Sequence, residues 1–175
     1  MKQNTKMIVI VLAVLVITTA IGAVYNRQYA HEKTALLEAA EIAVLQEGRE
    51  VSRLTMETIG QLPTANFTAM LKSSVMESAE KHTYTGIAFA DLFAAAGIPL
   101  EGKKRVVVHS VDGYAVPFTI EEIQALENVY LVYKDNGKYL GSYGEANGQG
   151  PYMIVIRGDR FSQRWAKYVC ELDVQ

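Results

Sequence analysis

The chain has 175 residues, half of them hydrophobic, with 17 basic and 19 acidic side chains and a formal net charge of −2. That is one domain's worth of sequence with an apolar surplus, and the interspersed charges exclude a nucleic-acid partner, whose binding surface would gather cations on one face. The single cysteine, Cys170, excludes an intramolecular disulfide, so packing alone must hold the fold.

The surplus lies at the start. Residues 7–24 carry no charge and follow Lys2 and Lys6. About 18 helical residues rising about 1.5 Å each nearly cross a hydrocarbon core of roughly 30 Å. The run is longer than the roughly 7–15 apolar residues of a secretory leader, so an uncleaved anchor is favoured over a signal peptide. Lys2 and Lys6 hold the short end in the cytoplasm and place the rest on the extracytoplasmic side. Residues 1–27 are thus the anchor, 28–40 a polar juxtamembrane helix or stalk, and 41–175 the folded domain.

Within the domain, Ile42, Val44 and residues 51–54 flank a Gly48 turn and predict a hairpin. Thr55 caps a short helix that Pro63 stops. A β-prone run over residues 66–71 leads through a polar connection that begins at Lys72, Ser73 and Ser74 and ends at residues 82–86. Ile87, Phe89, Leu92 and Phe93 then supply the apolar face of a helix closed by Gly97. Asp112-Gly113 joins strands at 105–111 and 114–118, Thr119 and Glu122 form a capping box, and Asp135-Asn136-Gly137 turns a third hairpin. Strands at 152–156 and 168–174 complete a mainly antiparallel α+β domain.

No metal-ligand spacing links His31, His82, His109 and Cys170, and no G-x-S-x-G elbow frames a serine. His82 is expected in a loop, where it can reach a cleft; His109 is expected as a half-buried strand residue. The glycine loop around Tyr143, Gly144, Gly148 and Gly150 is followed by Arg157, Arg160, Arg164 and Lys167 around Trp165. Glycines admit close backbone approach and guanidinium groups fork onto phosphate, so this stretch is a candidate site for a flat anionic ligand. The alternative is ordinary loop punctuation beside a solvated cationic face.

Residues 84–93, YTGIAFADLF, followed by Ala96-Gly97, resemble a stretch of sulfite-oxidase-type molybdopterin-binding domains that reads aromatic-x-Gly-Val-Pro-Leu-x-Asp-Leu-Leu. Asp112-Gly113-Tyr114, Gly150-Pro151 with the apolar run to Ile156, and residues 164–174, RWAKYVCELDV, resemble later segments of the same family in the same order. The resemblance implies a sulfite-oxidase-like fold with a pterin-sized cleft. It implies Arg164 and Lys167 as donors to the phosphate end of a pterin, with Trp165 either stacking on a planar heterocycle or packing as a wedge in the core, and Tyr84, Tyr114 and Tyr143 lining the same cleft; His82 and Ser73 are further candidates by their places in the chain. In catalytic members a cysteine ligates molybdenum between the early β-prone run and the aromatic-x-Gly motif. Here Leu71-Lys72-Ser73-Ser74 stands there instead, and a serine hydroxyl is a poor ligand for a thiolate-supported centre.

Taken together, the expectation is a membrane-anchored module that binds molybdopterin or another pterin-like ligand without molybdenum and hands ligand or signal to a membrane protein partner. The alternatives are a molybdenum-cofactor oxidoreductase of unusual ligation and an interaction domain with no ligand.

Overall fold

A computed structural model describes residues 2–175, with side chains from Lys6 onward, so the Lys2 charge used for orientation lies outside the described side chains. The chain divides into two compact units at Thr34 and Ala35. The first is occupied by helix α1 (Lys2–Glu38), which continues unbroken from the apolar run into the polar segment. From Lys6 onward it is long and apolar enough to cross a membrane, with a mean hydropathy of 2.9 in its most apolar window, none of which is buried inside the protein.

The second unit is an α+β domain of two five-stranded sheets around one core. In chain order its elements are β1 (Glu41–Gln46), β2 (Arg49–Thr55), α2 (Met56–Gly60), β3 (Thr64–Leu71), β4 (Glu80–Ala88) and α3 (Phe89–Ala95). Then come β5 (Arg105–Ser110), β6 (Ala115–Thr119), α4 (Ile120–Gln124), β7 (Val129–Asp135), β8 (Lys138–Tyr139), β9 (Met153–Ile156), a 3-10 turn (Ser162–Arg164) and β10 (Val169–Val174). The first sheet runs β2-β1-β10-β5-β6; the second runs β3-β4-β7, with β8 and β9 both on β7. Every pairing is antiparallel except β1 with β10.

Local chemistry accounts for most boundaries. Thr55 accepts a hydrogen bond from the Thr58 amide and opens α2, while Thr119 and Glu122 close a reciprocal capping box on α4. Gly97, at φ 68°, supplies the left-handed residue beyond α3. Alternation along β5 and β6 sends Val106, Val108, Val116 and Phe118 into the core, where they meet Ile42, Leu172 and the α3 residues Phe89, Leu92 and Phe93.

Two expectations are corrected here. His82 is not a loop residue: residues 80–88 form β4, because residues 80–87 pair with β3, His82 opposite Ala69, and residues 84–88 pair with β7 on the other side. The polar connection shrinks to residues 72–79, and Ile87 belongs to β4, so α3 starts at Phe89.

Candidate functional site

An open pocket of about 760 Å³ lies beside β3, lined by Thr68, Ala69, Met70, the α4–β7 connection (Leu126, Glu127, Asn128), the loop Arg157 to Arg160, and Trp165. That volume falls in the range of small-ligand sites. A second pocket of about 500 Å³ continues along the strand past Ala65, Asn66 and Phe67, and the two share Thr68, Glu127 and Arg157. Arg157 donates to Glu127 Oε2 at 2.7 Å and lies over the Phe67 ring, which in turn stacks on Tyr130 with centroids 4.1 Å apart. The Glu127 carboxylate raises the Arg157 pKa, so its charge is fixed.

The predicted donor Arg164 sits at the edge of this region with its guanidinium already occupied. Nε and Nη2 fork onto Asp159 at 2.9 and 2.7 Å, and Nη1 donates to Glu122 Oε1 at 2.9 Å. Asp159 first, then Glu122, raises its pKa further above the usual arginine range. Such a bidentate pair is geometrically specific. Here it ties the loop after β9 back on itself and to α4. Arg160 differs: among the described residues no carboxylate lies within ion-pair distance of it, and its guanidinium lies 5.4 Å from the Phe161 ring centre.

Trp165 does not offer a stacking face. It is 6% exposed, its indole N–H donates to the Ile156 carbonyl at 3.2 Å, and its ring meets Tyr84 edge-on at 5.8 Å. Burial with a satisfied N–H is the habit of a core tryptophan, so of the two expected roles the structure shows packing, in the pocket wall. Lys167 is exposed; like Arg164, it lines neither of the two pockets. Tyr114 donates its hydroxyl to the Gln163 carbonyl at 2.6 Å, and Tyr143 packs edge-on against Tyr168.

His82 is the predicted residue with the most organised surroundings. Its Nδ1 lies 2.7 Å from Asp135 Oδ2 and its ring is nearly parallel to Tyr84 at 5.7 Å. Asp135 Oδ1 is buried with no hydrogen-bond partner. Burial, then the Asp135 charge, pushes the Tyr84 phenol pKa well up. This cluster couples β4 to β7 and was not visible in sequence, where its members stand 53 residues apart.

The glycine loop packs against itself. Gln149 and Gly150 amides both donate to Gly141 O, at 3.0 and 2.8 Å, and Tyr168 donates its hydroxyl to Gly148 O. A Cβ on Gly150 would lie 3.0 Å from Leu140 O, so that glycine is accounted for by internal packing.

Ser73 stands where the resemblance implies a thiolate. Its amide points to Met76 Sδ at 3.4 Å, and the preceding Lys72 carbonyl accepts both the Ser162 amide and hydroxyl at 2.9 Å. The one thiol of the chain, Cys170, is buried in β10 with Sγ 3.6 Å from His109 O. Among the described residues no three His, Cys, Asp or Glu side chains gather as a metal cluster. The Ser73 hydroxyl is a harder donor than the thiolate that the resemblance implies at this place, and so a poor fit to a thiolate-supported molybdenum.

No protein-family model matches the chain, and no curated protein matches its sequence. Among solved structures, the sulfane dehydrogenase SoxCD from Paracoccus pantotrophus matches with a TM-score of 0.62 at 18% identity, over 77% of this chain. The fold is of the sulfite-oxidase type. The match spans 37% of that chain, and at this identity the likeness is one of architecture.

Proposed function

We propose that this protein is a membrane-anchored, extracytoplasmic binding module on a sulfite-oxidase-type fold, taking an anionic ligand in the groove beside β3 without molybdenum chemistry. The observation that carries this reading is the pairing of an open pocket with Arg160, a cation left without a carboxylate partner among the described residues. A pterin-like compound is the small ligand suggested by the fold. Its anionic end would meet Arg160, while Arg164 acts one step back by holding Asp159 and the loop in place. Ser73 in place of a thiolate supports binding without redox chemistry.

The test uses the full chain in lipid nanodiscs, titrated with neopterin monophosphate and assayed for bound metal. A ligand that binds only the native state raises the melting temperature by mass action. The melting temperature rises with ligand, Arg160→Ala weakens binding at least tenfold, and molybdenum stays far below one atom per chain. Stoichiometric molybdenum after growth in molybdate overturns the non-catalytic part; an unmoved melting temperature overturns the pterin part.

A second reading, an interaction domain with a macromolecular partner at the same groove, is favoured by the internal satisfaction of Arg164 and Trp165. Of the groups that the resemblance assigns to a pterin, the Arg164 guanidinium and the Trp165 indole N–H are engaged by the protein's own groups.

A further inference from the structure

A strand at the edge of a sheet offers unpaired N–H and C=O groups to any chain that approaches, and natural sheets guard such edges. Three edges here are guarded. β2 carries Arg49, Glu50 and Arg53, with Arg53 paired to Glu41 and Glu50 at 3.1 and 2.8 Å. β6 has Pro117 at its centre. On the far side of the second sheet β8 is two residues long, and β9 is covered by the closing segment, where Ala166 O accepts the Ile154 amide at 2.8 Å.

β3 has none of these devices. Thr64–Leu71 contains no charge and no proline, pairs with β4 over its whole length without a bulge, and receives no backbone hydrogen bond from any other element among the described residues. The two joined pockets run along this bare edge and between them touch every residue from Ala65 to Met70. Six extended residues span about 20 Å, the length of an ordinary strand. The rim is apolar at Leu126, 93% exposed, and Met70, 51% exposed.

Charge selects the occupant. Glu127 is taken by Arg157 and Asp159 by Arg164, which leaves Arg160 and Lys72 bracketing Phe161, each 5.4 Å from its ring centre, with no carboxylate in ion-pair range among the described residues. These two cations lie at the Leu71 end of the strand. A second copy offering its own β3 brings no acid to them, because TANFTAML has none.

We propose that β3 is a docking edge for an extended segment of a partner polypeptide, which adds as a new antiparallel strand, sets acidic side chains against Arg160 and Lys72, and lays an apolar side chain on Leu126 and Met70. This rests on the reading of the groove as the binding site, in its interaction form. Main-chain pairing supplies affinity, and the cations fix register and direction.

The probe is a fluorescein-labelled octapeptide alternating threonine and valine with two aspartates at its amino end, the end that antiparallel docking brings to Lys72. A version with lysines replacing the aspartates and one with a central proline are the controls. With the full chain in nanodiscs, the aspartate peptide binds, both controls bind at least tenfold more weakly, and amide exchange along β3 slows at least tenfold. Arg160→Glu weakens binding at least tenfold, and Thr68→Lys abolishes it with an unchanged thermal melt. Absence of binding, or binding indifferent to both substitutions, overturns the proposal, as does a Thr68→Cys chain that crosslinks quantitatively to a second copy without peptide. Neopterin monophosphate binding without peptide binding overturns strand addition and leaves the binding-module reading standing; peptide binding without pterin binding supports strand addition and removes only the pterin reading.

Discussion

At the scale of single residues, the buried tyrosines tie stability to pH. Burial first and a nearby carboxylate second, Asp135 for Tyr84 and Glu41 for Tyr152, push both phenols above their ordinary pKa. Below a pH of about 10 each is neutral in both folded and unfolded chains, so the native state keeps its full stability there. Above that the unfolded chain ionises first, and stability falls as pH climbs towards the raised folded values. The urea midpoint is expected to change little from pH 8 to 9 and to drop between pH 10 and 11. Tyr84→Phe, which keeps the ring contacts to His82 and Trp165, should flatten that drop; a wild-type midpoint level to pH 11 contradicts the assignment. The Asp135 contribution to Tyr84 was illegible in sequence. Asp135 reads there as the start of a hairpin turn, and only the β4–β7 ladder brings it opposite Tyr84 and within reach of His82.

At the scale of elements, the features legible in sequence were those whose causes are local. Gly48, Asp112-Gly113 and Asn136-Gly137 turned hairpins as their neighbours implied, and Thr55 and Thr119 capped the helices that follow them. What depends on distant partners was not legible. Residues 80–86 are too polar to announce a strand, yet the β3 ladder holds them in one and β7 joins from Tyr84 onward, and the free edge of β3 exists only because of sheet order. The same separation explains the candidate site: Arg157 and Arg160 stood out by type, but which arginine is already spent on carboxylates is a fact of tertiary packing. Gly86 shows what tertiary packing demands of one position. It lies at the β4–β7 bulge, where an added Cβ would meet the Leu131 carbonyl oxygen and come within 2.7 Å of Val132 Cα. Backbone cannot swing aside as a side chain can, so Gly86→Ala is expected to cost about 2–4 kcal/mol in chemical denaturation. A loss below about 0.5 kcal/mol would show that β7 yields at the bulge.

At the scale of the whole molecule, what bears on the cellular setting of the folded domain is α1. An apolar run such as residues 7–24, exposed along its whole length in the isolated chain, is costly in water and natural in a bilayer. The proposed orientation rests on charge: Lys2 and Lys6 crowd one end of the apolar run, whereas Arg27 and Lys33 are spread over the polar half of the helix. On the orientation proposed above, the domain faces the extracytoplasmic side, which also bears on its chemistry. The domain's one thiol is deeply buried and offers little for adventitious oxidation on that side, and its stability rests on the two-sheet core. The prediction is topological. In spheroplasts of an expressing bacterium, a membrane-impermeant maleimide should label Val75→Cys, whose side chain is exposed, before lysis, and Thr5→Cys only after lysis. The protein should also stay with the membrane pellet through an alkaline carbonate wash, as a spanning helix does and a cleaved leader does not. Labelling of Thr5→Cys alone in intact spheroplasts would invert the orientation and place the β3 groove, with any partner it takes, in the cytoplasm.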